Sequence, residues 1–349
     1  MQKLDLMNGP VSYPGVAEVR RGNGGGVLFS RLPRADRHLH AEMMRYIVRV
    51  TSGVRAAFRT DASTLVVRAE TNVFRMNTVD QATSVDVLVD GVVSASVRSS
   101  NGRWEFSLPG RMAEVEVWLP HDAITRLISL KINHDADVER AHADPRPRWT
   151  HYGSSISQCG EASSPTATWP AIAASLGGWS LTSLGFGGQC HLDPYVARHI
   201  AATPADRISM KVGINIAGAA SMNKRTFEPA LHGFLDVVRE GHPSTEIVVA
   251  SPVWCPFLET RSGPSQVDAS GVFANAGWPE DEASLTLVWM RDCIAGVVAG
   301  RAARGDNNLR YVDGLDLFSE ADDADLPDDL HPNAAGYARM GERWHGLVG

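Results

Sequence analysis

Near the middle of the chain, Tyr152-Gly153-Ser154-Ser155-Ile156-Ser157 places a serine where an extended apolar segment gives way to a helical one. A hydroxyl is a weak nucleophile at its free pKa. To attack a carbonyl, Ser155 needs a general base within hydrogen-bond reach, a group that orients the base, and donors for the oxyanion that develops. Residue types for all three occur downstream. Asp328-Asp329-Leu330-His331-Pro332 sets a carboxylate three residues before a histidine, so that Asp328 can hold one ring nitrogen while the other faces the serine. Leu184-Gly185-Phe186-Gly187-Gly188-Gln189 is a glycine-rich turn able to expose a backbone N–H, and Gly213-Ile214-Asn215 offers an amide donor after an apolar strand. The chemistry these residues suggest is acyl transfer through a covalent serine intermediate.

The elements that must position these residues change character along the chain. From residue 1 to about 145 the pattern is β. Alternation is clearest in Val85–Val89 before the Asp90-Gly91 turn, in Val92–Val97 after it, and in Glu114–Trp118. Arg45–Val50, Val54–Arg59, Thr64–Glu70, Trp104–Leu108 and Leu127–Ile132 are further predicted strands, spaced as in an antiparallel sandwich. Gly22–Gly26 reads as a loop: no Gly-Lys-Ser/Thr follows it and no helix opens after it, so a phosphate cradle is not indicated. His142–Arg148, polar and carrying two prolines, predicts an extended linker and a domain boundary. The expected division is 1–145, a β-sandwich, and 146–349, a catalytic domain.

Beyond the linker, strands alternate with helices. The expected pairs are 149–152 with 167–176, 179–184 with 191–200, 207–212 with 227–240, 247–251 with 282–304, and 309–312 with 333–347. Five such units predict an α/β fold whose parallel sheet is covered on both faces. In such sheets ligands bind beyond the carboxyl ends of the strands, and Ser155, Gly188 and Asn215 each follow a predicted strand.

Taken together, the blocks resemble the SGNH (GDSL-type) hydrolases over roughly residues 148–349. Gly153–Ser157 is similar to the Gly-Asp-Ser-x-Ser/Thr block, with Ser154 in place of its aspartate. Gly188 matches the glycine block and Asn215 the Gly-x-Asn block, with Ile216 where an aspartate often follows. Asp328 and His331 match Asp-x-x-His-Pro, and that spacing selects Asp328 over Asp329. The resemblance implies a flavodoxin-like domain with a five-stranded parallel sheet and ester hydrolysis by a triad of Ser155, Asp328 and His331. It also implies an oxyanion hole formed by the N–H groups of Ser155 and Gly188 and the Asn215 amide. An all-β, jelly-roll-like sandwich placed before such a domain resembles carbohydrate esterases that remove acetyl groups from sugars. Each block has a plainer alternative. Gly-Ser-Ser can be a loop or helix cap, Gly187-Gly188 a tight turn, Asn215 an Asx-turn residue, and Asp328-Asp329 a solvated acidic pair. Their occurrence together, in order and at strand ends, favours catalysis.

Composition bounds the rest. The chain has 349 residues, 44% of them hydrophobic, and a net charge of −7. No Lys/Arg stripe suits a nucleic-acid backbone, and no uncharged apolar run reaches the ~18 residues of a membrane span. The expectation is a cytoplasmic protein with neither partner. Cys159, Cys190, Cys255 and Cys293 form no CxxC pair, and free thiols are preferred over a Cys159–Cys190 disulfide. The histidines are not spaced as ligands, so no metal and no cofactor is expected. Trp254 and Gln189 are the candidate substrate-binding residues, and the long segment 259–279 is an expected loop near the site. Removal of a short acyl group, above all acetyl, from a carbohydrate or similar hydroxylated molecule is the favoured activity. Acyl transfer from the same intermediate and an inactive carbohydrate-binding protein are the alternatives.

Overall fold

The computed structural model describes residues 1–74 and 80–349. The chain divides into two compact units. One comprises Met1–Pro145 with Ala162–Ala171, the other Arg146–Glu161 with Ile172–Gly349.

The first unit is built from antiparallel strands in two sheets. One contains Glu18–Arg21, Val27–Ser30, Ala123–Ile132, Thr64–Val73 and Arg103–Ser107 in that spatial order, with Gln2–Lys3 paired to Ala123–Ile132. The other runs Val138–Glu139, Arg55–Thr60, Ala113–Trp118, Thr83–Val89 and Val92–Ser99. Period-two alternation sends Leu65 and Val67 from one sheet, and Val115 and Val117 from the other, into a shared core with Phe58 and Trp104. Burying one such aliphatic side chain contributes about 1.5–3 kcal/mol. Asp90, in the left-handed conformation, and Gly91 make the predicted hairpin.

Two details differ from the sequence expectation. Gly22–Gly26 joins two paired strands, Glu18–Arg21 and Val27–Ser30, which the sequence reading had not assigned. Arg45–Val50 is not a strand: Met44–Ile47 is a short helix. Met44, Ile47 and Val48 are buried at i, i+3 and i+4, a helical spacing that outweighs the β-branched composition.

The second unit holds five parallel strands in the order Ser180–Gly185, Arg148–Gly153, Arg207–Lys211, Glu246–Ala250, Leu309–Val312. In sequence terms this is 2-1-3-4-5, the flavodoxin-like order. Its switch point lies between the strands Arg148–Gly153 and Arg207–Lys211, which pair in parallel. Helices Trp169–Gly177, Pro194–Ala202, Lys224–Gly241, Leu287–Ala302 and Ala334–Val348 follow the strands as predicted, within a few residues. No helix among the described residues is long and apolar enough to cross a membrane.

Candidate active site

Ser155 is the first residue of a single helical turn, Ser155–Gln158, at the end of the strand Arg148–Gly153. Ser154 is its N-cap: extended backbone lets the Ser154 hydroxyl accept from the Ile156 N–H at 3.3 Å. The residue at the position of the family's aspartate therefore has a capping role that serine can fill. The turn packs against the neighbouring strand because Gly185 has no side chain. A Cβ there would lie 2.5 Å from the Gln158 nitrogen. Gln158 Oε1 in turn accepts from the Gly187 N–H at 3.1 Å, tying the glycine turn to the serine helix.

Asp328 and His331 come from the loop before the last helix. Asp329 adopts a left-handed conformation, φ 63°, which curls the chain around the Asp328 carboxylate. One carboxylate oxygen accepts from the N–H groups of Leu330 and His331 at 3.0 and 2.6 Å, and the other faces His331 Nδ1 at 2.8 Å. His331 Nε2 then stands 2.9 Å from Ser155 Oγ. With Nδ1–H donated to Asp328, Nε2 is left to accept the serine hydroxyl proton. Burial pushes the Asp328 carboxyl upward, but hydrogen bonds and charge from His331 and the backbone hold it below the ordinary carboxylate value. For His331, burial lowers the pKa, but the Asp328 hydrogen bond and the charges of Glu161 and Asp328 raise it above 6.5 overall. Asp329 is exposed and takes no part in this chain of bonds.

The proposed oxyanion donors are held by separate bonds. Gly188 has φ 67° in its turn, and its N–H donates to no acceptor among the described residues. Asn215 lies on the helix Ile214–Gly218, entered through Gly213 at φ 119°. Its Oδ1 accepts from the Cys190 N–H at 3.1 Å, which fixes the amide orientation and leaves Nδ2 as a donor. Beneath the serine turn, buried His151 bridges Ser157 Oγ at 2.8 Å and Ser209 Oγ at 2.7 Å. Burial and then the Lys211 charge push its pKa well below 6.5, so this imidazole is neutral and supports the turn.

The substrate-binding candidates fare differently. Gln189 stays at the glycine turn, its side chain donating to the Gly188 carbonyl at 2.7 Å. Trp254 donates from its indole to Asp323 at 2.8 Å, and no hydrogen bond or ring contact joins it to the triad. The aromatic beside the triad is Phe273, whose ring meets that of His331 edge-on at 5.4 Å, while its N–H donates to the Asp328 carbonyl at 3.0 Å. Phe273 begins one strand of a small hairpin, Ser265–Val267 with Phe273–Asn275, inside the segment expected to be a loop. The turn signal Asp268-Ala269-Ser270-Gly271 between Val267 and Val272 marks it in the sequence, against the expectation of a loop over 259–279. All four cysteines are free thiols, so Cys159 and Cys190 are not paired.

Strand order, glycine turn and C-terminal Asp-x-x-His loop define an SGNH-type hydrolase fold, in a chain that also carries a β-sandwich. The chain belongs to the GDSL-like lipase/acylhydrolase family, whose model matches residues 151–339. Residues 11–126 match a second model, the SsfX3 N-terminal domain. No curated protein matches the sequence. Among solved structures, a salicylyl-acyltransferase, SsfX3, from a tetracycline biosynthetic pathway is similar at 30% identity and TM-score 0.84, over 98% of this chain and 95% of that one. A family two carbohydrate esterase from Clostridium thermocellum, in complex with cellohexaose, is similar at 13% identity and TM-score 0.63, covering 97% and 98%. An acetyl xylan esterase from Butyrivibrio proteoclasticus gives 13% identity and TM-score 0.56, covering 99% and 97%. At such identity the two esterases share the fold alone.

Proposed function

We propose that this protein transfers an acyl group from an ester-type donor to a hydroxyl acceptor through a Ser155 acyl-enzyme. The observation that carries the reading is the continuous chain Ser155 Oγ, His331 Nε2 and Nδ1, Asp328 Oδ2, with steps of 2.9 and 2.8 Å. His331 takes the hydroxyl proton as Oγ attacks the donor carbonyl carbon. The Ser155 and Gly188 N–H groups and Asn215 Nδ2 hold the tetrahedral oxyanion. On collapse the bond to the leaving group breaks, and the leaving group receives the proton from His331. The acceptor hydroxyl then gives its proton to His331 and attacks the acyl carbon, and Ser155 Oγ departs and recovers the proton.

Water and an organic hydroxyl are rival acceptors in the second half. Likeness to an acyltransferase along nearly the whole chain, at 30% identity, favours the organic hydroxyl. The second reading, hydrolysis of a short acyl ester such as an acetylated hydroxylated molecule, draws on the fold shared with carbohydrate esterases.

The two are separated by giving the enzyme p-nitrophenyl acetate with increasing concentrations of a polyhydroxylated acceptor. Free acetate and acylated acceptor are measured, alongside the mass of the trapped Ser155 peptide. Acyl acceptor should grow at the expense of acetate. Acetate alone at every acceptor concentration would establish the hydrolase reading, and an unmodified Ser155 would remove both.

A further inference from the structure

A cleft in the first unit gathers five arginines around one concave place. It is bounded by the strands Glu18–Arg21 and Val27–Ser30 and by the segment 34–49, and it holds about 550 Å³ of unfilled space, part of it open to solvent. Arg20, Arg34, Arg37, Arg45 and Arg49 line it, with Glu18 the lone carboxylate. Strand register explains part of this: Glu18 pairs with Ser30 and Arg20 with Leu28, so alternate residues of both strands point to the cleft.

Several arginines elsewhere are paired with carboxylates. Arg59 meets Glu114 and Glu139, Arg126 meets Glu70, and Arg148 meets Asp206. None of the five cleft arginines forms an ion pair among the described residues, and Glu18 accepts from the backbone N–H of Arg34 at 3.1 Å. Arg45 donates from Nε to the His40 carbonyl at 3.2 Å, which fixes the guanidinium without neutralising it. Burial, followed by the charges of Arg20 and Arg37, pushes the Arg49 guanidinium below its ordinary value, so the cluster repels itself. Gathering five like charges in one concave place opposes folding unless an anion shares the site.

We propose that this cleft is a binding site for a phosphate-bearing small molecule. Guanidinium groups present planar donor forks that match phosphoryl oxygens two at a time, and several around one cleft suit a diphosphate better than a single carboxylate. The overall charge of −7 disfavours a long polyanion or an anionic membrane surface, which would meet the acidic remainder of the protein as well.

The test uses the full chain, with inorganic pyrophosphate as probe in isothermal titration at low ionic strength, where screening is weak. The double variant R34Q/R37Q removes two exposed, unpaired guanidinium groups. R111Q, which alters an exposed arginine paired with Asp90, serves as control. Pyrophosphate should bind the parent and R111Q, and should bind R34Q/R37Q about 10- to 100-fold more weakly. It should also raise the Tm of the parent and not of the double variant. Without pyrophosphate the double variant should be at least as stable as the parent, because repulsion has been removed. Absence of binding, equal binding by the double variant, or a destabilised unliganded double variant would overturn the proposal. So would equally arginine-dependent binding to phosphatidylserine vesicles, which would assign the cleft to a membrane surface.

Discussion

At the scale of single residues, the proposed site divides labour between groups that move protons and groups that only hold charge. Asn215 belongs to the second kind. Its amide is turned by the Cys190 N–H, so Asn215→Ala removes one oxyanion donor while leaving Ser155 and His331 in place. The expected loss is roughly 10²–10³ in kcat with little change in KM; a rate within a few-fold of the parent would take Asn215 out of the site. His331 sets the pH dependence. It must be neutral to accept the Ser155 proton, and with Asp328 and Glu161 outweighing burial its pKa lies above 6.5. As pH falls through that value the base is lost, so kcat/KM should decline on the acid side starting above 6.5. In Asp328→Asn the hydrogen bond and charge of Asp328 are lost while that of Glu161 remains, so the acid limb should shift toward lower pH while the plateau drops by as much as about 10⁴. A pH series on both proteins checks this, and an unmoved limb in the variant counts against the pairing. Ser155, Asp328 and His331 were legible because each sits in a short block whose meaning is local. Phe273 was not. Its contact with His331 spans the loop between a hairpin and a distant turn, and neither end announces the other.

At the scale of elements, strand ends and glycines set the positions of the site residues. The alternation of strands and helices gave the parallel sheet from sequence because buried parallel strands are short apolar runs separated by longer helical segments. The spatial order 2-1-3-4-5 was reached through resemblance, since periodicity carries no information on which strand lies beside which. Arg45–Val50 shows the opposite limit: a short apolar run reads equally as strand or helix until its neighbours are known. Gly213 shows how much one element entry can depend on a single residue. At φ 119° an L side chain is strained, and a Cβ would come within 2.6 Å of Pro252 Cγ. Gly213→Ala should therefore cost about 2–3 kcal/mol of stability. It should also displace the helix bearing Asn215, and a shift near 1 Å is enough to lose about 10²-fold in rate. Thermal unfolding and kcat on the same preparation check the two effects. A variant as stable and as fast as the parent would show that the turn can relax.

At the scale of the whole molecule, the first unit is not continuous in sequence. Residues 162–171 belong to it although they lie after the serine turn. Their anchor is Asp86, fully buried in the strand Thr83–Val89, whose Oδ2 accepts from Ser164 Oγ at 2.7 Å, the Thr166 N–H at 2.8 Å and Thr166 Oγ1 at 2.6 Å. Nothing local marks this in the sequence: Asp86 reads as a polar residue in an alternating strand, and its partners lie about 80 positions away. Three donors converge on one carboxylate oxygen, and hydrogen bonds to charged groups contribute about 1.5–3 kcal/mol each. Asp86→Ala leaves these donors without their acceptor and should destabilise the full chain by about 3 kcal/mol, measured by urea unfolding. A fragment cut at residue 146 loses Asp86 together with the strand that carries it. It retains 162–171 with buried Trp169 and no core to receive it. Such a fragment should be proteolysed rapidly within 162–171 and lose most esterase activity, even though it contains Ser155, Asn215, Asp328 and His331. A fragment 146–349 that resists protease and turns over p-nitrophenyl acetate at the parent rate would show that the segment folds without its Asp86 anchor.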